Sequence, residues 1–240
     1  MRKPKETFRM RDGMTVGNEG DGHPQILNPF VLEEIPELCG RKLLDIGCGR
    51  GSWGFLMLVE RGGSKGFMVG LDIQKKHLQF CKNHHVYDEV ILGDAAHLPF
   101  RESSFDFVLA SEVIEHLPKN LGFKLIKEAE RVGRKIVITT PQGYQPRSQE
   151  IKGPNSHKSQ WTSSDFQKMN YRVHGVGFRF FKWYMIAEKE SSPPKLLYGA
   201  LLYLFTPLSY VFPRLGEWLL AIKEQCKEGI LLNENHTPLR

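Results

Sequence analysis

Apolar and polar positions along residues 42–141 follow two different patterns. Short apolar runs that stop at a glycine or a polar residue predict buried strands. Segments with apolar residues every three or four positions predict helices between those strands. The predicted strands are 42–47, 66–73, 88–94, 104–111 and 134–141, and the predicted helices are 52–61, 74–84 and 120–132. Alternation of this kind is typical of βαβ units and therefore of a parallel sheet.

The regular alternation of predicted strands and helices stops after residue 141. A polar loop over 142–160 precedes a predicted helix at 162–169, and strands are predicted at 171–180 and 217–225. Together with the earlier five, these make seven strands. The pattern as a whole predicts an α/β fold with a doubly wound, mainly parallel sheet that carries helices on both faces.

The N-terminal part of the chain differs from the rest in composition. Residues 1–25 are polar and basic, and they predict a flexible arm with little regular structure. Residues 26–39 predict a short helix. We therefore expect one domain over 26–240, preceded by the arm.

An apolar helical insert is expected at about 193–215, before the last strand. Its centre, Leu196 to Phe212, is almost wholly apolar and contains Pro207, which would kink a helix. It is at the short limit for a membrane span. Three interpretations stay open: a buried helical pair over the sheet, an apolar lid over a substrate site, or a monotopic anchor in one membrane leaflet.

Charge and cysteine content narrow the classes of partner. The net charge is +6, but much of the excess lies in the N-terminal arm and no basic stripe with interleaved aromatics is present. Nucleic acid is therefore the less favoured partner. The four cysteines form no CxxC pair and no zinc-finger spacing, so no metal site is predicted. Scattered cysteines and an N-terminus without an apolar signal core predict a cytoplasmic protein, with peripheral contact at the inner face of a membrane left open.

The stretch from Asp45 to Gly51, DIGCGRG, lies between a predicted strand and a predicted helix. Glycines at such a junction let a ligand approach the backbone at a helix N-terminus. The dinucleotide fingerprint GxGxxG is not met, because Ser52 stands where its third glycine would be. A tight structural turn is the alternative interpretation.

Acidic residues end the next two strands. Asp72 ends the second strand, where a carboxylate can accept hydrogen bonds from both hydroxyls of a ribose. Asp94 ends the third strand, where it can accept from an exocyclic amine, and the small Ala95 beside it leaves room for a flat base. Three strand-end acids in register with a glycine turn predict a nucleoside site.

This constellation resembles the class I, Rossmann-like S-adenosylmethionine-dependent methyltransferases. The resemblance covers roughly residues 40–142 through the ordered motifs LLDIGCGRG, VGLDI, GDAAHLPF, FDFVLASEVIEHL and KIVITTP. It implies S-adenosylmethionine as cofactor and S-adenosylhomocysteine as product. The residues that it assigns to the cofactor are Asp45, Gly47 and Gly49 at the methionine moiety, Gly51 for close helix packing, Asp72 at the ribose, Asp94 with Ala95 at the adenine, and Ser111 along the cofactor. Cys48 and Ile73 complete the set of residues expected to bind the cofactor.

The segment after the fourth strand lies under the transferring methyl group in that family. Glu112 and Glu115 are expected at the acceptor, with the alternative that one of them only occupies an exposed helix start. His116 is the candidate general base for a hydroxyl acceptor, and a structural histidine is the alternative.

The class of acceptor is predicted from two motifs that the sequence lacks and from one loop that it contains. The chain lacks the Asn/Asp-Pro-Pro-aromatic run of nucleic-acid amino methyltransferases and the Pro-Cys of cytosine C5 enzymes. The loop 154–161 resembles an acceptor-side loop of small-molecule and lipid methyltransferases, so His157 and Trp161 are expected to touch the acceptor, Trp161 alternatively acting as an apolar plug.

These features predict O- or C-methylation of a small-molecule or lipid-linked acceptor. Docking of RNA or protein on the basic surface is the alternative, and a catalytically silent cofactor-binding module is the third. Contact with a membrane would run through 196–212, and the oligomeric state is left open.

Overall fold

A computed structural model describes residues 24–35, 37–60, 66–143, 156–179 and 195–225. Its centre is one seven-stranded sheet with the order β3-β2-β1-β4-β5-β7-β6. The strands are β1 (Lys42–Ile46), β2 (Phe67–Asp72), β3 (Glu89–Leu92), β4 (Phe105–Ser111), β5 (Gly133–Pro141), β6 (Arg172–Val176) and β7 (Trp218–Glu224). Strands β1 to β5 pair in parallel, and β7 runs antiparallel to both β5 and β6. The predicted fold class, mainly parallel and seven-stranded, is confirmed.

Helices follow the strands along the chain. They are α1 (Asn28–Glu34), α2 (Ser52–Glu60), α3 (Lys75–Asn83), α4 (Lys119–Val132), α5 (Ser163–Gln167) and α6 (Lys195–Val211). Short 3₁₀ helices lie at Gln25–Leu27, Ile114–His116 and Pro213–Leu215.

Several predicted elements are shorter in the structure than the sequence pattern suggested. The strand predicted at 171–180 ends at Val176, because Gly177 turns the backbone with φ of +71°. The helix predicted over 26–39 ends at Glu34, ahead of Pro36 in the sequence, a residue type that disfavours helix at the position before it. Helix α5 begins with a capping box between Thr162 and Asp165, as its cap residues predicted.

The core consists of two apolar layers, one on each face of the sheet. Successive side chains of a strand point to opposite faces, so Leu43 belongs to one layer and Leu44 to the other. Residues of α1, α2 and α3 complete the first layer, and residues of α4 and α5 complete the second. The helices therefore cover both faces, as predicted.

The apolar insert forms a single helix, α6, rather than the helical pair that was one expectation. Helix α6 packs on the edge strand β6, where the Ser209 hydroxyl donates to the Gly175 carbonyl at 3.2 Å and the rings of Tyr210 and His174 stack. Pro207 lies inside the helix. Its outer surface exposes the apolar side chains of Tyr203, Leu204, Leu208 and Val211. Among the described residues, no helix has the length and apolarity needed to cross a membrane.

Some predictions concern residues outside the described ranges. These are the flexible arm up to residue 23, the loop residues 144–155, and the first two residues of the insert as predicted. The division of the chain into an arm and one domain stays a prediction.

Candidate active site

The predicted site residues lie where parallel strands end. Because β1 to β5 run in the same direction, the segments that follow them emerge at one edge of the sheet. Ligands of open α/β sheets bind at this edge, next to the point where the strand order reverses. Here that point is between β1 and β4.

The turn after β1 takes its shape from three glycines in the left-handed region. The φ angles of Gly47, Gly49 and Gly51 are +69°, +53° and +85°. A side chain at Gly47 would place its Cβ 2.4 Å from the Val113 side chain, and one at Gly51 would lie 2.7 Å from that of Val86. Backbone conformation and close packing therefore both require glycine at these two positions.

The end of β2 holds this turn in place. The backbone amides of Gly47 and Cys48 donate to the Leu71 carbonyl at 2.7 and 3.0 Å. The Gly49 amide donates to Asp72 Oδ2 at 2.9 Å. These three amides thus already have acceptors within the protein. A cofactor carboxylate would therefore have to bind other N–H groups at the start of the helix.

Asp72 is a buried carboxylate with several donors. Its Oδ1 accepts from the Gln74 amide at 2.7 Å, and His77 Nδ1 lies 3.5 Å from Oδ2. Burial alone would raise the pKa of Asp72, but these donors and the Gly49 amide outweigh it and lower the pKa. Asp72 is therefore ionised at neutral pH, and both of its oxygens can accept hydrogen bonds from hydroxyl groups.

Asp45 lies deeper than the sequence suggested. It is only 1 % exposed, and its Oδ2 accepts a hydrogen bond of 2.6 Å from the Tyr87 hydroxyl. Burial raises the pKa of Asp45 to about 7, although the Tyr87 hydrogen bond acts in the opposite direction. Its predicted contact with the methionine end of a cofactor stays a prediction.

Two thiols are also buried here, that of Cys48 in the turn and that of Cys81 in α3. Cys81 Sγ lies 3.4 Å from the Gly49 carbonyl, and Cys48 is 7 % exposed. The neighbouring Cys81 and burial raise the pKa of Cys48, so this thiol stays protonated. Cys48 therefore contributes an apolar wall rather than a nucleophile.

The predicted adenine side is more open. Asp94 accepts from the Ala96 amide at 2.9 Å and from His97 Nδ1 at 2.8 Å, and His97 Nε2 contacts the Lys124 ammonium. Burial raises the pKa of Asp94, but these donors outweigh it and lower the pKa. Ala95 is half-buried. Ile73 is 68 % exposed directly after Asp72, and its apolar side chain is available to a flat ligand.

Hydroxyl side chains of β4 and β5 meet next to Glu112. The hydroxyls of Ser111 and Thr139 are 2.7 Å apart, and the Thr139 hydroxyl donates to Glu112 Oε1 at 3.2 Å. Glu112 has a φ of +56°, an uncommon backbone conformation for a residue other than glycine. Burial and the charge of Glu115 raise the pKa of Glu112 well above its usual value.

Glu115 is almost completely buried, with 2 % of its surface exposed. Its Oε2 accepts from the Thr140 hydroxyl at 3.1 Å, and its Oε1 has no hydrogen-bond partner among the described residues. Burial raises the pKa of Glu115 to about 7, even though the Thr140 hydrogen bond lowers it. Since Glu112 is also partly buried, neither acid occupies the exposed helix start that was the alternative.

Two histidines lie next to Glu115. The rings of His116 and His157 meet edge to face with centroids 5.0 Å apart. His116 Nδ1 faces the Ser156 carbonyl at 3.2 Å, so this nitrogen carries the proton of the neutral ring. Burial lowers the pKa of His116, which keeps the ring neutral. Each of Glu115, His116 and His157 offers one ligand atom, and these atoms lie within 4.8 Å of one another.

The loop that carries His157 is tied to the segment that carries Glu115. The backbone amides of Lys158 and Ser159 both donate to the Glu115 carbonyl, at 2.7 and 3.1 Å. The Ser159 hydroxyl donates to the Ile114 carbonyl at 3.2 Å. Residues far apart in sequence are thereby brought together by main-chain contacts.

Trp161 lies inside the core rather than at the surface. It is 0 % exposed, its indole N–H donates to the Ser159 hydroxyl at 2.9 Å, and its ring contacts Phe123 and Phe166. A Cβ at Gly122 of α4 would lie only 2.4 Å from this ring. The structure therefore favours the apolar plug that anchors the loop over a direct contact of Trp161 with the acceptor.

Sequence reasoning missed four residues of this edge: Tyr87, His77, Thr139 and Thr140. Tyr87 follows α3 and pairs with an acid 42 positions earlier, which no local pattern reveals. The two threonines are the last polar residues of β5 before Pro141, and their position at a strand end was the available signal.

Comparisons with known proteins indicate the kind of domain that this chain contains. Residues 44–136 match the family model described as a methyltransferase domain. A demethylmenaquinone methyltransferase of Staphylococcus epidermidis is 34% identical over 134 residues, which cover 53% of this chain and 54% of that protein. The chain thus matches about half the length of this curated relative.

Solved structures share the fold. A SAM-dependent methyltransferase from Archaeoglobus fulgidus aligns with a TM-score of 0.52 and 20% identity over 84% of this chain and 94% of its own. Phosphoethanolamine N-methyltransferase 2 of Haemonchus contortus, in complex with S-adenosylmethionine, aligns with a TM-score of 0.55 and 19% identity over 85% of this chain and 52% of its own. The predicted class I methyltransferase fold is confirmed.

Proposed function

We propose that this chain, which carries a methyltransferase domain on a class I fold, transfers a methyl group from S-adenosylmethionine to a small-molecule or lipid-linked acceptor. The observation that carries the proposal is the bond between the Gly49 amide and Asp72 Oδ2. It joins a left-handed glycine turn to an ionised acid at the end of the neighbouring strand. A turn that accepts close approach of a ligand thus lies beside an acceptor for ribose hydroxyls.

The cofactor would lie along the carboxyl edge of β1, β2 and β3. Its methionine end would meet the turn at Gly47 and Gly49, its ribose Asp72, and its adenine the open side chains of Ile73 and Asp94. Ser111 would line the cofactor near its centre. The sulfonium is a strong electrophile before it binds, so orientation and exclusion of water supply most of the rate acceleration.

The acceptor would lie over Glu112, Glu115, His116 and His157. Glu112, Glu115 and His116 follow the end of β4, and His157 lies against His116. We propose O- or C-methylation. The role of His116 as general base stays a prediction, to which the structure adds a neutral ring with Nδ1–H directed at the Ser156 carbonyl.

A lipid-linked acceptor is supported by two observations. The curated relative is named for demethylmenaquinone, and helix α6 exposes an apolar surface formed by Tyr203, Leu204, Leu208 and Val211. Peripheral contact of residues 196–212 with a membrane stays a prediction.

Label transfer tests the proposal. The purified chain is incubated with S-[methyl-³H]adenosylmethionine and a lysate of the source cells, which is then separated into organic extract, protein and nucleic acid. We expect label in the organic extract that disappears when excess S-adenosylhomocysteine is added. Label confined to nucleic acid or protein would overturn the proposed acceptor class and favour docking on the basic surface. Absence of label in every fraction would count against a methyltransferase.

A further inference from the structure

We propose that Glu115, His116 and His157 form a binding site for a divalent transition-metal ion that holds a hydroxyl oxygen of the methyl acceptor. The part about the acceptor rests on the proposed function, whereas the metal site itself rests on the cluster. Sequence spacing predicted no metal site, because two of these ligands are neighbours and the third lies 41 positions from His116.

The distances suit a cation after a small adjustment. The three ligand atoms lie within 4.8 Å of one another. A bound zinc ion with bonds of about 2.0–2.2 Å separates adjacent ligand atoms by about 3–4 Å. The side chains therefore need to close by on the order of 1 Å, which rotation of the imidazoles and the carboxylate supplies.

The Glu115 carboxylate is the strongest indication of a missing partner. Its Oε1 atom is buried without a hydrogen-bond partner among the described residues. A buried carboxylate oxygen left unpaired is costly, and such atoms in native proteins are normally paired or coordinate a metal. The acid is held in position through Oε2, which accepts from the Thr140 hydroxyl at 3.1 Å.

His116 is oriented as metal-binding histidines are. Its Nδ1 donates to the Ser156 carbonyl at 3.2 Å, which fixes the ring and leaves the lone pair of Nε2 for a cation.

The charges around the cluster favour a cation. Glu112 lies three residues before Glu115, and the two acids accept hydrogen bonds from the neighbouring Thr139 and Thr140 hydroxyls at 3.2 and 3.1 Å. Two carboxyl groups in a buried setting repel each other when both are ionised. A dication between the carboxyl groups and the imidazoles would compensate that repulsion.

The site is also preorganised by the backbone. The amides of Lys158 and Ser159, the two residues after His157, donate to the carbonyl of Glu115, the residue before His116. All three ligands are thus fixed to one another through main-chain hydrogen bonds that do not involve the ligand atoms. Sites held in this way need little reorganisation when a ligand binds.

The ligand types indicate which metals fit. Two imidazoles and one carboxylate suit Zn²⁺, Mn²⁺, Fe²⁺ or Co²⁺, whereas Ca²⁺ and Mg²⁺ prefer oxygen ligands alone. Three protein ligands leave at least one coordination position open, as in catalytic rather than structural sites. That position is where the acceptor oxygen would bind.

A cation there changes the expected chemistry of the acceptor. Coordination lowers the pKa of the hydroxyl, which releases its proton to solvent. A lone pair of the oxygen then forms the bond to the methyl carbon while the carbon–sulfur bond breaks and leaves its electron pair on sulfur. The products are a methyl ether and S-adenosylhomocysteine. His116 would act as a ligand, because a ring nitrogen that coordinates a metal cannot also take up a proton.

Titration of the EDTA-treated full chain with Co²⁺ tests the site, followed by calorimetry and by the visible absorption of the bound ion. We expect binding of one ion per chain. The variants His157→Ala and Glu115→Gln should weaken binding by on the order of 100-fold, because loss of a residue that merely orients a ligand costs about 10- to 100-fold. The control is His84→Ala, which removes an exposed histidine outside the cluster.

The outcomes separate this proposal from the proposed function. Absence of Co²⁺ binding, or equal weakening in His157→Ala and His84→Ala, would overturn the metal site. S-adenosylhomocysteine is titrated into the same metal-free protein, and a failure to bind would count against the methyltransferase alone. Thermal melting shows whether each variant is folded. If His157→Ala does not fold, Glu115→Gln, which preserves the shape of the side chain, decides the question of the metal site.

Discussion

Gly49 and Gly40 both have positive φ angles and differ in where they lie in the chain. Their φ angles are +53° and +66°, so alanine is strained at both positions by about 1–3 kcal/mol. Gly40 precedes β1, and a Cβ there would meet nothing within 4 Å. Gly49 lies in the turn to which we assign the methionine end of the cofactor.

We therefore expect Gly49→Ala and Gly40→Ala to lose similar stability but to differ in cofactor binding. The added methyl group at Gly49 should weaken the binding of S-adenosylhomocysteine by about tenfold or more, since the backbone can no longer approach the ligand closely. Gly40→Ala should bind as the unmodified protein does. Calorimetric titration of both variants measures this, and equal affinities would show that the turn is not the binding site.

Asp45 makes a residue-scale prediction about pH. Burial raises the pKa of Asp45 to about 7, whereas the carboxyl of an unfolded chain titrates near 3.9. Between these values the folded chain keeps a proton that the unfolded chain releases. The contribution of Asp45 to the free energy of unfolding therefore falls as the pH rises from about 4 to about 7, by about 4 kcal/mol in total.

The variant Asp45→Asn should lack this decline, because its amide is neutral at every pH and still accepts from the Tyr87 hydroxyl. Urea unfolding of both proteins without cofactor at pH 4, 5.5, 7 and 8 measures the effect. Most other groups titrate alike in both proteins, so their effect drops out of the difference between the two free energies of unfolding. We expect the variant to gain stability over the unmodified protein as the pH rises. Two pH profiles that run parallel would contradict the assignment.

At the scale of elements, helix α4 and the loop 156–161 pack against each other at the ring of Trp161. A Cβ at Gly122 would lie 2.4 Å from Cζ2 of the buried Trp161. In an isolated helix, alanine is favoured over glycine by about 1 kcal/mol. Here overpacking should reverse that preference and destabilise the protein by about 1–3 kcal/mol.

Gly122→Ala should therefore lower the free energy of unfolding and loosen the loop that carries His157. The control Asn120→Ala places the same side chain at an exposed position of α4. Denaturant unfolding gives the stabilities, and amide exchange of Lys158 and Ser159 reports on the loop. If Gly122→Ala is as stable and as protected as Asn120→Ala, Trp161 is not the anchor.

Elements were more predictable than the contacts between them. The strands follow from apolar runs, and the ends of β1, β2 and β3 place Asp45, Asp72 and Asp94 at one edge because parallel strands emerge together. The hydrogen bond from Tyr87 to Asp45 and the approach of His157 to His116 join distant parts of the sequence. Local patterns carry no information about such pairs, so these contacts appear only in the fold.

At the scale of the whole molecule, the sheet brings two groups of residues together at one edge. In the proposed function, the glycine turn and Asp72 would form the cofactor side, and the cluster of Glu115, His116 and His157 would form the acceptor side. Both lie at the carboxyl edge around the switch point between β1 and β4. Methyl transfer requires this juxtaposition, since donor and acceptor must be aligned before they react.

The central claim is that this edge binds S-adenosylmethionine. Isothermal titration of S-adenosylhomocysteine into the purified full chain, repeated with saturating S-adenosylmethionine present, tests it most directly. We predict saturable binding with one molecule per chain, lost when S-adenosylmethionine occupies the site. A folded chain that gives no binding heat at several temperatures, or binding that S-adenosylmethionine does not displace, would contradict the account.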